Sequence, residues 1–96
     1  MVKHIVCFKL NESSQEQKQK AKEILLSMRE RVPMIIDMEV GTDFLCSERS
    51  YDIFLSVTLE NKEALDDYQK DAYHCDVVKT YMHANVSASV AVDFEF

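Results

Sequence analysis

Val86-Ser87-Ala88-Ser89-Val90-Ala91-Val92-Asp93-Phe94-Glu95-Phe96 closes the chain with Val86, Ala88, Val90, Val92, Phe94 and Phe96 at every second position. Successive side chains of an extended strand point to opposite faces, so this alternation specifies a strand with one apolar face. The opening residues share the period: Val2, His4, Val6, Phe8 and Leu10 alternate with Lys3, Ile5, Cys7 and Lys9. Two further runs lie between them. Met34 to Val40 sets Ile36, Met38 and Val40 against Asp37 and Glu39, and Tyr51, Ile53, Leu55, Val57 and Leu59 alternate with Asp52, Phe54, Ser56 and Thr58. Gly41, the only glycine, directly follows the second run and is expected to adopt a backbone conformation closed to other residues. Residues 42–50 form a polar connector between the second and third strands.

The segments separating these strands have helical spacing. Ser13-Ser14-Gln15-Glu16 offers a capping box, with Ser13 as the cap and Glu16 reaching back. Ala21, Ile24, Leu25 and Met28 follow on one stripe, and Pro33 stops the helix because it lacks an N–H and disfavours helical geometry in Val32. Asn61 caps a second helix carrying Ala64, Leu65 and Tyr68. The pattern weakens over Lys70 to His74, where a break is expected, and a further turn or two carries Val77, Val78 and Tyr81.

The order strand, helix, strand, strand, helix, strand specifies an α+β fold. With right-handed crossovers it becomes a ferredoxin-like βαββαβ protomer, a four-stranded antiparallel sheet with both helices on one face. Residues 1–96 form a single domain. Val6, Phe8, Ile53, Leu55, Val90 and Val92 are expected under the helices, leaving Ile5, Cys7, Ile35, Phe54, Ser87, Ser89 and Ala91 on the other face. A face meant for water alone rarely holds Ile5, Phe54 and Ile35 together. The expected remedy is a second copy packed sheet to sheet, a homodimeric α/β barrel. A domain of this size buries only about two-thirds of its unfolded surface, so a partner subunit also adds stability.

Composition narrows the function classes. Apolar residues make up 47% and charged residues 29%, an ordinary globular balance, and the net charge is −6. Lys18, Lys20, Lys22, Arg29 and Arg31 are interleaved with Glu16, Glu23 and Glu30, which reads as a solvated helix face. Neither nucleic acid nor an anionic membrane surface is an expected partner. No signal-peptide pattern opens the sequence and no run approaches the roughly 20 apolar residues of a membrane span. Cys7, Cys46 and Cys75 are odd in number and widely spaced, so reduced thiols and a cytoplasmic location are expected. His4 and His74 with Asp71 or Asp76 have no recognised ligand spacing, and no metal or other cofactor is assigned.

Four segments together resemble the stress-responsive A/B barrel (Dabb) family of the dimeric α/β-barrel superfamily. They are Val2-Lys3-His4-Ile5-Val6-Cys7-Phe8-Lys9, Met38-Glu39-Val40-Gly41, Tyr51-Asp52-Ile53 with Val57-Thr58-Leu59-Glu60, and Tyr68 with His74 six positions on. The family's usual His-Pro in the last segment is replaced by Asp71-Ala72. The resemblance implies a sheet-to-sheet homodimer with a pocket between sheet and helices in each protomer. A plant polyketide cyclase of the family uses a histidine and a tyrosine at positions matching His74 and Tyr68, and its strand histidine matches His4. Its other pocket histidine and its helix tyrosine fall at Ile53 and Leu25, so the pocket here is expected to be more apolar.

The candidate site is therefore His4, Tyr68, Tyr73 and His74, with Ile53 and Leu25 as apolar walls. His4 either hydrogen-bonds to backbone at the pocket rim or anchors a ligand. Tyr68 either packs the helix or lets its hydroxyl meet the His74 imidazole. In the latter case His74 is a base for proton abstraction, since its reference pKa of about 6.5 lies near neutrality. Tyr73 lines the mouth or covers the helix junction. His83 is expected at the surface, and Cys75 lacks a third group to orient it as a nucleophile. Three functions fit: binding of a small, mostly apolar or aromatic molecule; a cyclase or lyase working next to a carbonyl; or a structural, stress-protective assembly.

Overall fold

A computed structural model describes residues 1–96. Strands β1 (Val2–Leu10), β2 (Asp37–Thr42), β3 (Ile53–Leu59) and β4 (Val86–Glu95) form one antiparallel sheet in the order β2-β3-β1-β4. Helices α1 (Gln15–Leu26) and α2 (Met28–Arg31) follow β1, and α3 (Lys62–Lys70) follows β3. A π-helical segment, His74–Lys79, then leads into α4 (Thr80–Asn85). This is the ferredoxin-like arrangement expected from the segment order, with the helices on one side of the sheet. None of the helices is long and apolar enough to cross a membrane.

The core lies between sheet and helices. Leu25 and Met28 from the first helical stretch, Ile53, Leu55, Val57 and Leu59 from β3, and Tyr68 from α3 are all buried. Local chemistry sets the helix ends. Asn61 accepts from the Ala64 N–H at 2.8 Å, as expected. The first helix is capped by Ser14, whose Oγ accepts from the Gln17 N–H at 3.1 Å; Ser13 instead turns its hydroxyl to Asp52. Val32, before Pro33, is extended (φ −114°, ψ 98°). Lys18 leaves the solvated face expected of it: it is buried, and its ammonium donates to the Asp43 carbonyl at 2.9 Å.

The largest correction concerns β4. His4 lies opposite Asp93, Val6 opposite Ala91 and Phe8 opposite Ser89, while Ile5 faces Val92 and Cys7 faces Val90. Cross-strand partners share a face, so Val90 and Val92 stand on the side away from the helices, with Ile5, Cys7 and Phe54. Ser89 and Ala91 take the helix side, and Ser87 falls at the register shift near Lys9 and Leu10. Val90, Val92 and Phe94 are 51%, 60% and 42% exposed. The outer face is thus more apolar than the sequence pattern suggested.

Two smaller differences concern the second strand. It starts at Asp37, and Ile35 packs against the core instead of joining the outer face. Gly41 sits inside β2 opposite Phe54, and no glycine has a positive φ; that conformation falls to Cys46 (φ 55°). A Cβ on Gly41 would meet the Phe54 Cβ at 3.9 Å, an ordinary contact.

Met28 is fully buried beneath Tyr68. Met28→Ala should cost about 2–5 kcal/mol, and the near-isosteric Met28→Leu less than about 1.5 kcal/mol. Urea denaturation of both variants checks this ranking.

Candidate functional site

One cavity of about 210 Å³ opens between the sheet and the helices. β1 contributes His4, Val6 and Phe8 to its wall, α1 contributes Leu25, and α3 contributes Tyr68. The π segment contributes His74, Val78 and Lys79, and α4 continues with Met82 and His83. All three histidines of the chain line this one space. The cavity is smaller than the roughly 300–1,000 Å³ of sites for drug-sized ligands and suits a single ring or a short chain.

His4, Tyr68 and His74 form one aromatic stack. The Tyr68 and His74 rings stack with centroids 4.3 Å apart and planes inclined by 27°, and His4 meets Tyr68 edge-on at 5.6 Å. Because rings stack, the Tyr68 hydroxyl does not meet the His74 imidazole. It points into the core and donates to the Met28 thioether at 3.7 Å. Burial, and then the Asp71 charge, raise its pKa above the ordinary phenol value. Tyr68 therefore serves here as a packed platform.

The two histidines of the stack sit in different environments. His4 is anchored to a side chain and not to backbone: the Asp93 carboxylate accepts from Nδ1. That bond fixes the ring and leaves Nε2 as the acceptor nitrogen of the neutral imidazole. His74 is only 8% exposed, and its Nδ1 is buried with no hydrogen-bond partner. Burial, then the Lys79 ammonium and His4, push its pKa down to about 4, against smaller pulls from the Tyr68 backbone and Asp71. It is neutral at pH 7. Asp71 holds the turn that carries it, since Asp71 Oδ2 accepts from the His74 backbone N–H at 3.0 Å.

Ile53, Tyr73 and Cys75 lie outside the cavity wall. Ile53 is core and does not line the cavity. Tyr73 covers the helix junction, its hydroxyl 2.7 Å from Ser27 Oγ and its ring under Arg31. Cys75 donates to the Gln69 carbonyl at 3.2 Å and stays outside the cavity wall. Sequence reading missed Asp93 and the cavity position of His83. Asp93 could have been found by pairing the first and last strands with His4 opposite it.

Residues 2–96 match the family model described as the stress responsive A/B barrel domain. No curated protein matches this chain. Several solved structures do. A dimeric ferredoxin-like protein of unknown function from Thermobifida fusca is 20% identical with a TM-score of 0.83, covering 99% of this chain and 90% of its own. A dimeric protein of unknown function and ferredoxin-like fold from Bacteroides fragilis is 24% identical (TM-score 0.81; 99% and 95% covered). A Dabb family protein with a ferredoxin-like fold from Mesorhizobium loti is 16% identical (TM-score 0.79; 99% and 95% covered).

With a folded-state pKa of about 4 for His74 against about 6.5 in the unfolded chain, the unfolded state binds more protons between those values. The His74 contribution to stability is full above pH 6.5 and is lost as pH falls toward 4. Urea midpoints measured across that window should decline in the native chain, and His74→Gln should remove this component of the decline.

Proposed function

Because this chain belongs to the stress-responsive A/B barrel (Dabb) family, we propose that it works as a homodimer binding a small, mostly apolar, hydroxyl-bearing molecule between sheet and helices. The observation that carries this reading is the unpartnered Nδ1 of His74, buried in the wall of an otherwise largely apolar cavity. Buried polar atoms are nearly always paired, and leaving one unpaired costs about 1–3 kcal/mol. Nδ1 has less than 1 Å² of accessible surface, so a small turn of the His74 ring would bring it to a ligand hydroxyl, which both donates and accepts and so satisfies it in either tautomer. Val6, Phe8, Leu25 and Val78 supply the apolar surface for the rest of the molecule.

The homodimer would form through the outer face. Ile5, Cys7, Phe54, Val90, Val92 and Phe94 share that side, and a contiguous apolar patch of this kind favours burial against a second protein surface. The Thermobifida and Bacteroides relatives, described as dimeric, support the same arrangement here.

A second reading, a lyase or cyclase that removes a proton next to a carbonyl, is favoured by the His4–Asp93 pair. His4 Nε2 would take the proton, the electron pair would pass into an enolate, and the Asp93 carboxylate would stabilise the imidazolium. A positioned base of this kind is worth about 100- to 10,000-fold in rate. His4 suits this role better than His74, whose proton affinity is lowered by burial.

Phenol should bind about 2- to 13-fold more tightly than toluene, the worth of one hydrogen bond of roughly 0.5–1.5 kcal/mol. His74→Phe should erase the difference. Equal affinities in the native chain, read by titration calorimetry, would contradict the binding reading. Separately, Val92→Glu should halve the mass seen by light scattering; a native mass equal to one chain would remove the dimer.

A further inference from the structure

We propose that the mouth of this cavity selects acids: the Lys79 ammonium and the His83 imidazole take the carboxylate of a ligand whose apolar body fills the space behind them. This rests on the cavity being a ligand site and adds the class of ligand it admits.

Three observations converge on it. The chain carries 17 Asp and Glu against 11 Lys and Arg, yet no carboxylate lines the cavity. The polar side chains at its exposed edge are Gln69 from α3, Lys79 from the π segment, His83 from α4 and Ser89 from β4, every one able to donate a hydrogen bond. Lys79 is also uncommitted. The ion pairs of the chain use His4, Lys20, Lys62 and Lys70, and none engages Lys79. The π segment that displays Lys79 is the same one that places His74, with its buried and unpartnered Nδ1, in the cavity wall. One element thus places an imidazole in the wall and a positive charge at the rim.

The charge also reaches inward, since the Lys79 ammonium is one of the causes that lower the proton affinity of His74. A carboxylate seated on Lys79 would offset that repulsion. Acid binding should therefore make His74 more basic, a coupling that a neutral ligand of the same shape would lack.

The test uses two probes of matched shape, 4-hydroxyphenylacetate and 4-hydroxyphenylacetamide. They are titrated calorimetrically into the native chain, K79Q and K79R, with the histidine ring protons followed by NMR. A charge-assisted hydrogen bond predicts that the native chain prefers the acid by about tenfold or more. K79Q should bring acid and amide within about threefold by weakening the acid alone, and K79R should restore most of the preference. The His74 titration midpoint should move upward in the acid complex and not in the amide complex. Equal affinity of the native chain for both probes would overturn acid selection while leaving the cavity a ligand site. If neither probe binds nor shifts the His74 resonances, the ligand reading of the cavity fails and acid selection falls with it.

Discussion

The register between β1 and β4, which sets His4 opposite Asp93, decides where every residue of both strands points. Side chains alternate along a strand, so a slip of one residue would exchange the two faces of β4 completely. In the observed register the helix side receives Asp93, Ala91 and Ser89, and the outer side receives Phe94, Val92 and Val90. A single pairing thus orients a histidine with a carboxylate on one face and assembles an apolar patch on the other.

The site follows from what surrounds that pairing. Tyr68 fills the space between His4 and His74 with its ring, sending its hydroxyl to Met28. The two imidazoles it separates are treated differently: one is bonded to a carboxylate, the other is buried with a nitrogen free. The π segment completes the arrangement by turning His74, Val78 and Lys79 toward the same space.

The order of strands and helices was legible in the sequence because each segment repeats its period several times. Asn61, Pro33 and the break after Lys70 marked helix ends through chemistry local to the chain. The orientation of β4 was not legible. Its valines and phenylalanines alternate cleanly, but alternation states only that they share a face, not which face. Assigning the more apolar side to the core is sound for a protomer that stands alone, and β4 departs from it because it is an edge strand left largely uncovered by the helices. Asp93 was hidden for the same reason, since its partner lies at the other end of the chain. His4, Leu25, Tyr68 and His74 line the cavity. Ile53 and Tyr73 are buried or half-buried near it, and spacing alone does not separate a wall from the layer behind it. Ser13 and Ser14 compete as neighbouring caps of similar strength, and the nearby Asp52 carboxylate draws Ser13 away.

Methyl NOEs across the β1–β4 pair test the central register most directly. The account predicts contacts between Ile5 and Val92 and between Val6 and Ala91. Contacts of Val6 with Val90 or Val92 would place the valines under the helices, separate His4 from Asp93, and contradict it.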